Sequence, residues 1–118
     1  MQLKDAVGRY GEKIAARLLA DTGHRVIETN WRCRQGEIDI VAAQGSTLII
    51  CEVKTRSSVA FGQPAEAVDR AKRLRLRQLA TQWLIDHPGP WDSVRFDVIA
   101  VLRPARGPAQ VRHLPGAF

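Results

Sequence analysis

The stretch of residues 36–54 constrains the fold more than any other part of this chain. It contains two runs typical of β-strands, 37–43 and 47–54, separated by the turn residues Gln44-Gly45-Ser46. Side chains alternate between the two faces of a strand, and the second run is mostly apolar on both faces. We therefore predict a hairpin whose second strand is covered on both sides of a sheet.

Three polar residues of this hairpin, Asp39, Glu52 and Lys54, do not fit a purely structural role. Charged groups on a covered strand cost free energy unless they are paired or bind a metal. An odd register, such as the one that a two-residue turn at Gly45-Ser46 sets, brings Asp39 and Glu52 to one face. Two converging carboxylates favour a hard cation such as Mg²⁺ (or Mn²⁺). We predict that Asp39 and Glu52 share this metal, with Lys54 beside it to hold a water or stabilise charge on a phosphate.

The remaining segments surround the hairpin with helices and further strands. We predict a helix from about Lys4 to Asp21, a strand over 24–33, a loop over 55–63 and a second helix from Pro64 to about Asp86. A strand over 93–102 and a short one over 109–113 complete the chain. The order α-β-β-β-α-β(-β) predicts one compact α/β domain with a mixed sheet flanked by helices, the fourth strand running parallel to the third.

Two further carboxylates are candidates for the same site. Glu12 lies on a helical row with Gly8, Ala15 and Leu19, so it borders the buried side of the first helix and could add a ligand. The alternative is an exposed glutamate paired with a neighbouring arginine. Glu37 has the strand parity of Asp39, but it could equally be a surface residue at the edge of the turn.

The charge balance favours an anionic partner. The chain carries a formal net charge of +6 and has a pI near 10.2, and nucleic acid is the commonest partner of such a chain. Cations concentrate in the second helix and beside the predicted metal site; the candidates for phosphate contact are Arg70, Lys72, Arg73, Arg75 and Arg77, and Arg32, Arg34 and Arg56. The alternative for the helix is a solvated basic face.

The other compositional signals are negative. The N-terminus has no apolar core segment of a signal peptide, and no apolar run reaches transmembrane length, so we expect a cytoplasmic protein without a membrane partner. The spacing of Cys33 and Cys51 predicts neither a disulfide framework nor a zinc site. Cys51 alternates with strand residues and is predicted to be a small buried hydrophobe.

These residues carry a family resemblance. Asp39 followed by Glu52-Val53-Lys54 resembles the PD-(D/E)xK nuclease superfamily, with Ile38 where the superfamily name has Pro. More narrowly, the chain is similar to the YraN family of small bacterial proteins; the matching stretches include 8–12, 30–32, 36–39, 52–56, 61–64 and 95–98, together with Lys72 and the terminal Ala117-Phe118.

The resemblance implies more than the residues alone do. It implies a core like those of restriction endonucleases and Holliday junction resolvases, with Glu12, Asp39, Glu52 and Lys54 as catalytic residues and the three carboxylates as metal ligands. The expected activity is Mg²⁺-dependent hydrolysis of DNA phosphodiesters, with branched DNA as a candidate substrate. Resolvase relatives act as dimers, so a homodimer is implied by analogy. The alternative is a non-catalytic nucleic-acid-binding module that keeps the nuclease fold.

Overall fold

The order of elements confirms the predicted α/β domain. The structure is a computed structural model that describes residues 3–57 and 68–118, with side chains from residue 6 onward. Its elements are α1 (Leu3–Asp21), β1 (Arg25–Cys33), β2 (Gly36–Gln44), β3 (Thr47–Arg56), α2 (Arg70–Asp86), β4 (Ser93–Leu102) and β5 (Gln110–Leu114). Neither helix combines the length and apolar character needed to cross a bilayer, for the part of the chain described.

The sheet is mixed, as predicted. Its five strands lie in the order β1-β2-β3-β4-β5. The first three form an antiparallel meander, and β4 pairs parallel to β3 after the crossover through α2. The last strand, β5, returns antiparallel to β4. The central strand β3 is paired with β2 as far as Cys51 and with β4 as far as Arg56.

A helix covers each face of the sheet, which confirms that β3 is buried on both sides. On one face, Ala15 and Leu19 of α1 pack in a cluster with Ile49 of β3. On the other face, Leu79 and Trp83 of α2 are in a cluster with Ile50 of β3. All six side chains are at most 2% exposed. Burial of each large side chain stabilises the fold by about 1.5–3 kcal/mol, so the two apolar faces account for the position of the helices.

The second helix differs from the prediction at its start. Pro64 and Glu66, expected in its first turn, lie outside the described residues, as does Phe61-Gly62 of the predicted loop. Within the described residues the helix begins at Arg70, and Asp69 is its N-cap in an extended conformation, accepting a hydrogen bond from the Lys72 backbone N–H at 2.9 Å. The predicted helix is therefore wrong at residues 68–69, because Asp69 is itself extended and caps a helix that begins after it.

The third strand also runs further than predicted. It ends at Arg56 rather than Lys54, so Thr55 and Arg56 belong to the strand and not to the loop. Parallel pairing explains the difference, because β4 continues to pair with β3 through Thr55↔Val101 and Arg56↔Leu102. Long-range pairing of this kind leaves no signal in the local sequence.

Two glycines of α1 provide a matched test of the packing between α1 and β3. A Cβ at Gly11 would overlap the Thr55 hydroxyl and come within 3.1 Å of the Thr55 Cβ, whereas a Cβ at Gly8 would meet nothing within 4 Å. We expect Gly11→Ala to lower the free energy of unfolding by about 1–2 kcal/mol through overpacking. Gly8→Ala should instead raise it by about 0.5–1 kcal/mol, since alanine favours the helix. Urea denaturation of both variants tests this; equal effects would contradict the close approach at Gly11.

Candidate metal and phosphodiester site

The hairpin has the odd register that the sequence predicts. Its two-residue turn is Gly45-Ser46, and the paired residues run from Gln44↔Thr47 to Ile40↔Cys51. Regular pairing between β2 and β3 ends there. The next backbone N–H available on β3, that of Val53, donates to Oδ2 of Asp39 at 2.8 Å. The Asp39 side chain thus takes a position that a backbone carbonyl would occupy in a continued ladder.

The alternation of side chains along β2 is interrupted at Asp39. Ile38 belongs to the apolar cluster on the α2 face, while Ile40 belongs to the cluster on the α1 face. In a regular strand these two side chains would share a face. The backbone therefore changes its orientation around Asp39, and register alone does not decide which carboxylates meet there.

Three carboxylates converge where this irregularity meets α1. One oxygen each from Glu12, Glu37 and Asp39 lies within 4.8 Å of the other two. We call this set the acidic triad. Glu12 comes from the row of α1 that also carries buried Ala15, and it is hydrogen-bonded to the side chain of Asn30. Among the described non-glycine residues, Asn30 alone has a positive φ, 54°; asparagine tolerates this conformation better than most residues.

Burial and neighbouring charges disfavour ionisation of two members of the triad, Asp39 and Glu12. Burial raises the pKa of Asp39 to about 7, and the neighbouring charges of Glu52, Glu12 and Glu37 act in the same direction, against the hydrogen bond from Val53. Burial also raises the pKa of Glu12, although the Asn30 hydrogen bond opposes it. A cluster that resists holding its negative charge alone is one that a cation would stabilise.

Glu52 has a different set of partners. Its Oε1 lies 2.6 Å from Nζ of Lys72 and 3.4 Å from Nζ of Lys54, and its side chain is only 7% exposed. Within the described residues, the group of close metal-ligand side chains does not include Glu52. Of the neighbouring charges that raise the pKa of Asp39, that of Glu52 acts most strongly, ahead of those of Glu12 and Glu37. The predicted sharing of one metal by Asp39 and Glu52 therefore stays a prediction, and Glu12 and Glu37 are further candidate ligands.

The two lysines on Glu52 have different environments. Burial lowers the pKa of Lys54, and the neighbouring Lys72 ammonium lowers it further, against the attraction of Glu52. Burial also works against the charge of Lys72, but the hydrogen bond to Glu52 and the charge of that carboxylate outweigh it and raise the pKa of Lys72. Lys72 is thus the more firmly charged partner of Glu52.

The acidic residues line an open cleft of about 570 Å³ between α1 and the sheet. Glu12, Asp39 and Glu52 lie in its wall, and Gly8 and Thr55 are among the residues that complete it. The cleft brings three of the four predicted catalytic residues to one solvent-accessible space. Lys54 reaches the same group through its contact with Glu52.

The three arginines predicted beside the metal site differ in what they contact. Arg32 pairs with Glu37 of the acidic triad at 3.2 Å. Arg34 is exposed in the turn before β2. Arg56 donates to the neighbouring carbonyl of Thr55 at 3.1 Å. Arg32 and Arg34 therefore lie at the β2 end that carries the triad.

The basic residues of α2 divide between its flanks. Arg75 approaches Gly36 at the start of β2, its Cδ lying 3.6 Å from the position of a Cβ there. Arg73 and Arg77 lie on the other flank, over the rings of Phe118 and Phe96 at 5.6 and 4.7 Å. Arg70 is exposed and, within the described residues, forms no ion pair. Arg73 thus contacts the C-terminal segment and Arg77 contacts β4, and the assignment of the α2 cations to phosphate contact stays a prediction.

The fold defines an architectural class: an α/β domain with a mixed five-stranded sheet flanked by helices. Among solved structures, it is similar to Hjc of Archaeoglobus fulgidus, a Holliday junction resolvase from an archaeal hyperthermophile. The TM-score is 0.51 at 19% sequence identity, covering 88% of this chain and 72% of that chain. At this identity the likeness establishes the fold.

The chain belongs to the uncharacterised protein family UPF0102, which matches residues 11–101. This confirms the resemblance to YraN, which is the same family. A UPF0102 protein of Frankia alni is 53% identical over 118 residues, covering 100% of this chain and 98% of that protein. A UPF0102 protein of Beutenbergia cavernae is 55% identical over 116 residues, with 98% of each chain covered.

Two residues of the site had only weak signals in the sequence. Glu37 has the strand parity of Asp39, which does not distinguish a ligand from a surface residue at the edge of the turn. The sequence places Lys72 among the cations of α2, and its contact with Glu52 depends on how the helix crosses the sheet. Asn30, the partner of Glu12, could have been suspected only from its place in the matching stretch 30–32.

Proposed function

We propose that this protein is a Mg²⁺-dependent endonuclease acting on DNA phosphodiester bonds, with Asp39 at the centre of its site. The observation that carries the proposal is the acidic triad, of which Glu12 and Asp39 line an open cleft together with Glu52, the partner of Lys54. Acidic residues gathered beside a lysine are suited to metal-assisted phosphodiester hydrolysis. The nuclease-like fold and the net charge of +6 support the same function.

The donor set fits a hard divalent cation. Glu12, Glu37 and Asp39 offer carboxylate oxygens, which Mg²⁺ and Mn²⁺ prefer, and their mutual repulsion would be relieved by a cation. Glu52 lines the same cleft and is proposed as a further ligand. When bound, such an ion would polarise the phosphate and lower the pKa of an attacking water.

The chain's own residues would orient the reactants. We assign to Lys54 the positioning of the attacking water or the stabilisation of charge developing on the phosphate. Its contact with Glu52 restricts the lysine to the edge of the cleft. Such a role acts on the transition state, so Lys54 should affect turnover more than DNA affinity.

Binding of DNA would use cations on the same side as the triad. Arg34 and Arg75 both lie near the start of β2 and are exposed. We expect the double change Arg34→Ala and Arg75→Ala to weaken binding of any DNA sequence and to reduce the salt slope by up to about two, as each lost phosphate contact reduces it by ~0.9. Fluorescence anisotropy at several salt concentrations measures both quantities.

A matched control removes equal charge from the opposite edge of the sheet. Arg106 and Arg112 are exposed there, in the loop before β5 and in β5 itself. Their double change to alanine should alter the salt slope less. If both double variants weakened binding equally, a diffuse basic surface would explain the affinity, and the proposed DNA path would be wrong.

The test of the function is a cleavage assay on four-way-junction, single-stranded and duplex DNA, with Mg²⁺ or Mn²⁺. We expect cleavage that requires the metal, is abolished by Asp39→Asn, and falls by roughly 100-fold or more in Lys54→Met with little change in affinity. The matched control is Asp86→Asn, an exposed carboxylate at the end of α2. Salt-sensitive binding without cleavage of any substrate would contradict the enzyme and favour the binding module. The homodimer implied by the resemblance stays a prediction.

A further inference from the structure

The ammonium of Lys72 lies on a carboxylate that the proposed function gives to a metal. Its Nζ is 2.6 Å from Oε1 of Glu52, and the Lys54 Nζ approaches the same oxygen at 3.4 Å. Glu52 is nearly buried, with 7% of its side chain exposed. A buried carboxylate needs a countercharge, and within the described residues these two lysines provide it.

Lys72 combines a fixed backbone with a displaceable side chain. Its backbone N–H is held by the Asp69 N-cap in the first turn of α2 at 2.9 Å. Its side chain is 37% exposed, compared with 15% for Lys54. The ammonium of Lys72 can therefore move to solvent on its flexible stem while the helix stays in place.

The Glu52 carboxylate carries a single negative charge, so a close ammonium weakens its attraction for a metal ion, and a bound metal ion weakens its hold on the ammonium. We propose that Lys72 takes the place of a divalent cation on Glu52, and that a cation binding at the acidic triad displaces Lys72 to gain Glu52 as a ligand. This inference rests on the proposed metal-dependent function and adds a competition for one ligand. Once displaced, Lys72 would remain at the edge of the cleft as a cation for a substrate phosphate.

The test is a double-mutant cycle of Mn²⁺ affinities, which isothermal titration calorimetry measures. The proteins are the wild type, Lys72→Met, Glu52→Gln and the double variant. We expect Lys72→Met to bind Mn²⁺ about tenfold more tightly than the wild type, a difference of about 1.4 kcal/mol. In the Glu52→Gln background, removal of Lys72 should change the affinity by less than about twofold.

The cycle separates displacement from a general field effect. Loss of any nearby positive charge would favour a cation, but that gain would persist without Glu52. Arg70→Met removes a charge from the same helix without a contact to Glu52 and should change Mn²⁺ affinity by less than about twofold. Lys72→Arg keeps the ion pair and should behave like the wild type. Circular dichroism of each variant verifies the fold.

A measurement on the wild type needs no substitution. Mn²⁺ should raise the rate at which an amine-reactive reagent acylates Lys72, relative to the exposed Lys13, as followed by mass spectrometry. Unchanged labelling, or a Lys72→Met variant that binds Mn²⁺ no more tightly than the wild type, would overturn the competition while leaving the metal site intact. Absence of Mn²⁺ binding in every protein would contradict the proposed function together with this inference.

Discussion

Asp97→Asn should lower the free energy of unfolding by about 3 kcal/mol, the scale expected when one partner of a buried charge pair is removed. Asp97 is fully buried in β4. Its two carboxylate oxygens accept from Arg95 Nε and NH2 at 2.8 Å each, from His113 Nε2 at 2.7 Å and from the Gly116 backbone N–H at 2.9 Å. An asparagine would turn an amide donor toward some of these donors and leave the Arg95 charge without its partner.

This network ties the C-terminal segment to the sheet. Just after Gly116, the Ala117 N–H donates to the Phe96 carbonyl at 2.9 Å, and the Phe118 ring packs on Phe96. Thermal unfolding should show a loss of roughly 10 °C or more for Asp97→Asn. Asp86→Asn, on the exposed end of α2, should stay within about 0.5 kcal/mol of the wild type. A similar small effect for Asp97→Asn would contradict the stabilising role of the network.

The stability that Asp97 contributes should depend on pH. Burial opposes the charge of Asp97, but the bonds from Arg95, Gly116 and His113 outweigh it and lower its pKa below the usual value. A lowered pKa gives stability that is present above the unfolded-state value, near pH 4, and is lost as the pH falls through the folded value. The difference between wild type and Asp97→Asn should therefore be largest near neutral pH and shrink in acid.

Asp39→Asn should have the opposite effect and raise the free energy of unfolding by about 2 kcal/mol at pH 8. The pKa of Asp39 is raised to about 7 from an ordinary 3.8, and at ~1.36 kcal/mol per unit the full shift would amount to about 4 kcal/mol. The expected effect is about half of that figure, because Asp39 is only partly buried and solvent screens its charge. The asparagine oxygen can still accept the Val53 N–H, so the substitution removes mainly the charge.

The sign of this pH dependence follows from the pKa of Asp39 in the folded and in the unfolded protein. A raised pKa means that the stability present below about pH 4 is lost as the pH rises toward about 7, since the unfolded state ionises first. Asp39→Asn has no carboxylate at this position and does not lose this stability. The difference in free energy of unfolding between the variant and the wild type should therefore grow from about pH 4 to about pH 7 and then stay constant. Chemical denaturation across pH measures it. Asp21→Asn, an exposed change on α1, should show no such advantage; equal curves for Asp39→Asn and the wild type would contradict the strained acidic cluster.

The local features of this fold could be predicted from the sequence, but fewer of its long-range contacts could. The hairpin turn at Gly45-Ser46, the two-sided burial of β3 and the parallel crossover all follow from periodicity and turn chemistry. The partners of Glu52 do not, because Lys72 is twenty positions further along the chain and meets it only through the packing of α2. Likewise, the contact of Arg73 with Phe118 depends on a C-terminal segment that returns across the sheet.

The candidate site also has a part that local sequence predicts and a part that it does not. Asp39, Glu12 and Glu52 could be selected as carboxylates on apolar elements, and all three line one cleft. Which of them converge depends on the backbone irregularity at Asp39, since alternation alone would have grouped Asp39 with Glu52. Glu37 has the strand parity of Asp39 and accompanies it into the cluster, whereas no local propensity of residues 36–40 predicts the irregularity itself.

The central claim is that the acidic triad holds a divalent cation, and the most direct measurement is Mn²⁺ titration of isotopically labelled protein followed by NMR. Paramagnetic Mn²⁺ broadens the amide signals nearest to where it binds. We predict early broadening at Gly8, Val53 and Thr55, which line the cleft, before any at Gly107 in the loop between β4 and β5. This early broadening should disappear in Asp39→Asn. Broadening that begins elsewhere, or that is unchanged by Asp39→Asn, would contradict the metal site.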